Sequence, residues 1–376
     1  MTGSDLFENF TQPSAIVIES VQRDLSEELR RIYNGSPDEL LLHTARYERL
    51  LTLYRLSFPG QTSAFIVRAP GRVNLIGEHT DYNGYPVMPM AIDRDFVFIL
   101  APRTDGTIDI VNESPSFERR TFDARFPVSP YHQGDWGNYI KAAVHGILEA
   151  GWVDPKKAAG FQAIVGGTIP ESAGLSSSSA LVVASALAFL TANNKRIDKN
   201  HLAELLARAE RYVGSEGGGM DQAVSLLAET GKALKIDFFP LRTQPVSLPE
   251  NLSFVVCNSL IRAPKSESIR YAYNRRVIEC RLATALAAKA VEEQSGKNIH
   301  PNRLADLSGE KLGLEQCTVD KIIAQAIGEK PLSLKEIAQH LGETTEAVQK
   351  RLCTLRDGSM LTEPPDGFKI WNRYKH

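Results

Sequence analysis

Three short stretches of the chain concentrate side chains able to do chemistry. The first is Arg68-Ala-Pro-Gly-Arg-Val-Asn-Leu-Ile-Gly-Glu-His-Thr-Asp81, which gathers Arg72, Asn74, Glu78, His79 and Asp81 directly after a strand-like run. Carboxylates accept from hydroxyls while Arg and His donate, so a mixed cluster of this kind suits a polyhydroxyl ligand. A solvated turn with incidental ion pairs is the plainer reading. The Pro-Gly turn, and Leu75 and Ile76 between Asn74 and Gly77, favour an ordered, inward-facing run. The second stretch is Gly166-Gly-Thr-Ile-Pro-Glu-Ser-Ala-Gly-Leu-Ser-Ser-Ser-Ser-Ala180, followed by an apolar helix. Small residues let backbone N–H groups converge on an anion, and a helix N-terminus adds donors and a favourable dipole. The stretch lacks the Gly-Lys-Ser/Thr ending of a Walker loop and is not a Rossmann fingerprint. The third is Glu210-Arg-Tyr-Val-Gly-Ser-Glu-Gly-Gly-Gly-Met-Asp-Gln222, where consecutive glycines before Asp221 allow close backbone approach to a ligand. Asp221 reads equally well as the N-cap of a helix.

The elements that must position these stretches are legible in outline. The chain reads as mostly helical to about residue 58, with Leu25, Leu29 and Ile32 at helical spacing and an apolar face in Tyr47 to Phe58. Strands are expected at Ala64–Val67, Phe96–Leu100, Thr107–Val111, Phe161–Val165, Lys232–Asp237 and Ser253–Cys257. Helices are expected at Asn138–Ala150, from about Ser178 onward, at His201–Val213 and at Ser268–Glu293, with short helical pieces beyond. Strands and helices without strict alternation favour an α+β fold over a doubly wound sheet. Trp136 and Tyr139 offer two rings that could stack on a base, although aromatics are more often core. Leu334 to Leu352 has the look of a helix-turn-helix. The acids Glu343 and Glu346, where phosphates would be met, favour a plain helical hairpin.

Composition narrows the class. The 376 residues are 43% hydrophobic and 23% charged, ordinary for a globular protein, and Lys+Arg 43 against Asp+Glu 45 leaves a net charge of −2. Near-neutrality gives no support to a nucleic-acid coat or a polybasic membrane binder. The longest apolar stretch, Ala180 to Ala192, falls short of the roughly 20 residues a bilayer requires. The opening MTGSDLFENF carries acids and no basic region, so no signal peptide is expected. Cys257, Cys280, Cys317 and Cys353 are scattered, without a CxxC, and read as reduced thiols of a cytoplasmic protein.

Taken together, the three stretches resemble the galactokinases, within the superfamily of galacto-, homoserine, mevalonate and phosphomevalonate (GHMP) kinases. Arg72-Val-Asn-Leu-Ile-Gly-Glu-His-Thr-Asp-Tyr82 is similar to the family's sugar signature, Gly174-Leu-Ser-Ser-Ser-Ser-Ala180 to the superfamily's phosphate loop, and Gly217-Gly-Gly-Met-Asp-Gln222 to the segment bearing the catalytic aspartate. The resemblance runs from about residue 60 to 285 and includes Val277-Ile-Glu-Cys-Arg-Leu-Ala283. The Gly-Gly-Gly-Met-Asp form is similar to the eukaryotic branch that holds both galactokinases and N-acetylgalactosamine kinases.

The resemblance implies a two-domain GHMP kinase fold, α+β, with a ribosomal-protein-S5-like N-terminal domain. The divisions it suggests are a helical segment over 1–58, a sugar- and ATP-binding kinase domain over 59–240 and a partial, helical C-terminal domain over 241–376. It implies ATP-dependent phosphorylation of galactose at the C1 hydroxyl, with ATP and Mg²⁺ as cofactors. Asp221 would be the general base, assisted by Arg72. Glu78, His79, Asp81, Gly218 and Tyr273, with Arg72 and Asp221, would bind the sugar. Gly174, Leu175, Ser176, Ser177, Ser178 and Ser179 would cradle the ATP phosphates, with Trp136 and Tyr139 on the adenine side. Ser178 and Glu210 would hold Mg²⁺. Sugar and ATP are the expected partners, with no nucleic acid or membrane, for a cytoplasmic monomer.

The family's third, glycine-rich motif is missing: after Gly309 the glycines stand singly. The expectation is a chain truncated within its C-terminal domain, with weak or no activity alone. Other readings are an N-acetylgalactosamine kinase, a non-catalytic galactose- and ATP-binding sensor, and a DNA-binding regulator. Thr80 and Asn83, with Tyr273, lean toward galactose, and the intact serine loop favours the enzyme over the sensor.

Overall fold

Ile66 and Val67, or Val97 and Phe98, point to opposite faces of the same strands, and each is almost wholly buried. A sheet with two apolar faces needs cover on both sides, and the computed structural model supplies it. It describes residues 17–19, 25–33, 35–61, 64–125, 127–214, 216–249, 251–252, 254–257, 267–355 and 358–370. The acidic opening decapeptide lies outside the described residues.

These residues belong to two compact units. The first comprises Met1–Ile76, Val87–Val213 and Gly219–Pro264; the second comprises Gly77–Pro86, Gly214–Gly218 and Lys265–His376. In the first, β1 (Val17–Glu19) precedes α1 (Leu25–Tyr33) and α2 (Pro37–Ser57). Helix α2 starts where the sequence says it should: Ser36 and Glu39 form a reciprocal capping box, with Pro37 at the first helical position. There follow β2 (Phe65–Ile76), β3 (Met88–Arg103), β4 (Thr107–Asn112), β5 (Arg120–Asp123), α3 (Gly137–Glu149), β6 (Gly160–Gly167), α4 (Ser177–Ala192), α5 (Lys199–Ala209) and α6 (Met220–Leu227). A hairpin of β7 (Lys232–Asp237) and β8 (Arg242–Ser247) completes the unit.

The main sheet has the order β1-β2-β3-β6-β4-β5. Its pairs are antiparallel except β4 with β6. Ile66, Val97, Ile99 and Ile164 pack with Leu29, Ile32, Tyr47, Leu50 and Tyr54 of the N-terminal helices. On the opposite face Val67, Phe98, Leu100, Phe161 and Ala163 pack with α3 and α4. Helix α4 is buried on nearly all sides, which accounts for its uniformly apolar sequence. At Gly160 the backbones of β6 and β4 are so close that a Cβ would lie 2.0 Å from the Thr107 carbonyl oxygen.

One buried charge node joins the helical layer to the sheet. Asp95 on β3 is fully buried. It accepts from Arg46 Nη1 of α2 at 2.6 Å, from Tyr33 Oη of α1 at 2.7 Å, and from Arg68 Nε of β2. Burial alone would push its carboxyl up, but the two guanidinium groups overcome that and hold it below the ordinary carboxylate value.

The second unit is mainly helical. Long α7 (Glu267–Ser295) is followed by α8 (Gly309–Leu312), α9 (Gln316–Ala326), α10 (Leu334–Leu341) and α11 (Thr345–Leu352). Ile278, Leu282, Leu286 and Val291 of α7 share a core with Val319, Ile323, Ile337, Val348 and Phe368. The segment that resembles a helix-turn-helix is a hairpin of α10 and α11 around Gly342, which has a φ of +69°. Its Leu334, Ile337, Ala338, Val348 and Leu352 are buried in that core.

Two sequence expectations are corrected. Among the described residues of 253–257 no strand forms; Phe254, Val255 and Val256 are exposed instead. Ile76, expected to face inward, is 66% exposed at the end of β2. All four cysteines are free, Cys280 and Cys353 buried and the other two exposed. No helix of the described residues is long and apolar enough to cross a membrane.

Candidate active site

In the first unit, the sequence brings one anionic and one cationic side chain together from the ends of separate elements. Arg72 lies on β2 beyond the register shift at Pro70–Arg72, and Asp221 lies in the first turn of α6. Arg72 Nε donates to Asp221 Oδ1 at 2.7 Å, with side-chain exposures of 11% and 26%. The N-cap of α6 is Gly219, at φ +110°, not Asp221. The aspartate is therefore released from capping and turned to the pair. Ser225, one turn further along α6, donates to the Pro70 carbonyl at 2.9 Å and ties the helix to β2.

The serine-rich stretch wraps the same pair. Arg72 Nη1 donates to the Gly174 carbonyl at 2.8 Å, and the Arg72 backbone N–H to the Leu175 carbonyl at 3.3 Å. A Cβ at Gly71 would sit 2.8 Å from the Leu175 carbonyl oxygen, so the loop lies directly on the strand. Ser176 Oγ donates to Asp221 Oδ2 at 2.5 Å. Ser177, Ser178 and Ser179 open α4, whose first N–H groups have no intrahelical acceptors and whose dipole favours an anion. Gly174 has φ +74° with open space around it.

Behind the loop, Glu210 is 6% exposed. Its Oε1 accepts from Ser179 Oγ at 2.8 Å and its Oε2 from Gln222 Nε2 at 2.7 Å. Ser178 is half-buried in the first turn of α4. The local donor set is hydroxyl and carboxylate oxygen, which suits a hard divalent cation such as Mg²⁺. Among the described residues no cluster of three or more His, Cys, Asp or Glu side chains forms a ready metal cage. A Mg²⁺ ion held by one carboxylate together with phosphate oxygens does not require one.

Trp136 is part of the hydrophobic core, with its indole N–H donating to the Glu118 carbonyl at 3.1 Å and its ring edge-on to Phe117. Tyr139, on α3, is partly buried against the same core. Beside them the Asp135 carboxyl is held below its ordinary value: burial pushes it up, but hydrogen bonds from Arg120 and the Gly137 N–H outweigh it.

The second unit contains the other sugar-signature residues. Asp81 is 8% exposed and accepts from the Gly218 N–H at 3.1 Å. His79, at φ +61°, meets Tyr82 Oη at 3.1 Å through Nδ1, and its ring lies 5.3 Å from that of Tyr273. Glu78 is exposed. The loop 214–218 is anchored by α7: Asn274 Nδ2 donates to the Gly214 carbonyl at 3.2 Å, and Arg281 Nη2 to Glu216 at 2.7 Å. Sequence reasoning assigned no role to Gln222, Ser225, Glu216 or Arg281. Glu216, Gln222 and Arg281 stand inside the quoted motifs, which was the available signal.

Residues 138–229, which hold β6, the serine loop and Asp221, match the model described as the GHMP kinases N-terminal domain. The fold is also that of a Lactococcus lactis galactokinase complexed with galactose, at a TM-score of 0.57 and 24% identity over 83% of this chain and 78% of that one. Residues 52–102 match the galactokinase galactose-binding signature. A galactokinase of Dictyostelium discoideum is 34% identical over 88% of this chain and 66% of its own length. One of Candida parapsilosis is 38% identical over 68% and 52%. The chain belongs to the galactokinase family. It spans between about half and two thirds of the length of these curated relatives.

Proposed function

We propose that the chain carries the sugar- and nucleotide-binding machinery of an ATP-dependent galactose 1-kinase. The observation that supports this most directly is the Arg72–Asp221 pair at 2.7 Å under the serine loop. In phosphoryl transfer the protein mainly positions reactants and balances charge. Asp221 would receive the proton from the C1 hydroxyl as the transition state develops, a role that requires a carboxylate within hydrogen-bond reach. Arg72 would polarise the hydroxyl and balance the carboxylate's charge. Gly174, Leu175 and Ser176 to Ser179 would hold the ATP phosphates at the start of α4. Glu78, His79, Asp81, Gly218 and Tyr273 would bind the sugar, and Trp136 and Tyr139 would border the adenine side. Ser178 and Glu210 would hold Mg²⁺, which when bound neutralises charge on the phosphates.

The test is a coupled ADP-release assay on this chain with galactose and N-acetylgalactosamine in parallel. Galactose-dependent ADP release, exceeding that with N-acetylgalactosamine and lost in Asp221→Asn, is the expected result. Near-normal turnover by Asp221→Asn would overturn the base assignment. ADP release with N-acetylgalactosamine alone would move the substrate to the amino sugar, and release with neither would overturn the kinase reading.

A further inference from the structure

We infer that Ser176 is a positioning residue whose hydroxyl makes Asp221 available to the sugar only when a phosphate occupies the serine loop. The inference rests on the kinase reading above and adds a coupling between its two substrates. Both oxygens of Asp221 are engaged: Oδ1 by Arg72 Nε at 2.7 Å and Oδ2 by Ser176 Oγ at 2.5 Å. Ser176 stands at the N-cap position of α4, yet its side chain makes no capping hydrogen bond. It adopts the left-handed conformation at φ +59°, which disfavours a residue with a Cβ. The serine thus forgoes the interaction that favours serine at this position and makes the contact with the aspartate.

A serine hydroxyl has one proton to give. Given to Asp221, it is withheld from any anion in the loop. A phosphate at the N-terminus of α4 is a strong competing acceptor, because its charge lies against the helix dipole. The other links between loop and pair, from Arg72 to the carbonyls of Gly174 and Leu175, involve no such choice, since carbonyls only accept. Turning one hydroxyl toward phosphate therefore frees a site on Oδ2 while leaving the rest of the pair in place. The C1 hydroxyl of the sugar needs an acceptor of that kind. One proton with two competing acceptors, and one acceptor with two competing donors, make the two substrates favour one another, reciprocally.

The experiment is calorimetric titration of galactose into this chain, with and without a non-hydrolysable ATP analogue, repeated for Ser176→Ala and Ser176→Gly. Glycine adopts the left-handed conformation without penalty, so that variant preserves the loop's backbone. In the unaltered chain the analogue is expected to tighten galactose roughly tenfold, within the usual range of coupling between sites. In both variants the factor is expected to fall to near one, because galactose binds the nucleotide-free protein as tightly as the loaded one. An unchanged factor in Ser176→Gly, or no coupling in the unaltered chain, overturns the role of Ser176 and leaves the kinase reading standing. Failure of the unaltered chain to bind galactose under either condition overturns both.

Discussion

The backbone N–H of Gly218 donates to the carboxylate of Asp81 at 3.1 Å, across 137 positions of sequence. The approach leaves no room for a side chain: a Cβ at Gly218 would lie 2.3 Å from the Tyr82 nitrogen and 2.5 Å from Asp81 Cγ. These neighbours are a backbone atom and a buried carboxyl, neither of which yields easily. Gly218→Ala is expected to destabilise the protein by about 1–3 kcal/mol through overpacking and to raise the galactose KM sharply. Urea denaturation and steady-state kinetics check both.

Asp221 and Arg72 should separate in their effects on nucleotide. Asp221→Asn is expected to lower phosphoryl transfer by roughly 10²–10⁴-fold, the usual worth of a positioned base, with ATP affinity kept. Arg72→Ala is expected to lower transfer similarly and to weaken ATP several-fold as well, because Arg72 also holds the loop at Gly174. Turnover assays paired with nucleotide binding distinguish the two.

Glu210 accepts from two donors, Ser179 and Gln222, inside the fold. Replacing it by Gln keeps an acceptor for Gln222 and lets the amide donate to the Ser179 hydroxyl, but removes the anionic oxygen proposed for Mg²⁺. Glu210→Gln is expected to raise the Mg²⁺ concentration for half-maximal activity at least tenfold, a shift that titration with MgCl₂ at fixed ATP reads directly.

The Asp95 node sets a pH dependence of stability at both extremes. The folded carboxyl titrates below its ordinary value of 3.8. Its contribution is therefore complete above that value and is lost as pH falls through the lower, folded one. Tyr33 behaves oppositely: burial first, and the negative Asp95 second, push its hydroxyl from 10.0 up to about 12. The stability it contributes is complete below pH 10 and is lost as pH rises through about 12. Urea midpoints are expected to fall with acid less steeply in Asp95→Asn than in the unaltered protein, and with alkali less steeply in Tyr33→Phe. Asp95→Asn should also cost about 3 kcal/mol or more at neutral pH, because Arg46 and Arg68 lose their shared anion.

Much of the first unit was legible because its apolar patterns are strong. Helix α4 and strand β6 fall where their continuous apolar runs put them. Strand β3 is longer than its Phe96–Leu100 core suggested, running from Met88 through Asp93, Arg94 and Asp95. A charged residue reads as exposed, and only the pairing of Asp95 with Arg46 and Arg68 explains its burial. Strands β5 and β8 are short or polar and gave no pattern to read. The exposed Val255 and Val256 show the converse: β-branched composition without a partner strand does not make a strand. In the candidate site, residue types and local motifs were visible, but the meeting of Arg72 with Asp221 is a tertiary contact that spacing cannot give. The resemblance to a family supplied that expectation. It gave no hint that Ser176 contacts Asp221 directly.

The second unit is stitched from Gly77–Pro86, Gly214–Gly218 and a long later stretch. Its early pieces are fastened by residues made much later: Gly214 by Asn274, Glu216 by Arg281, and Glu279 itself by the backbone of Lys369. During synthesis the strands and serine loop of the first unit can collapse while the glycine run still has no anchor. The loop proposed to touch the sugar is then among the last parts of the molecule to set. A ribosome paused before α7 emerges would carry a chain whose serine loop is shaped and whose glycine run is not.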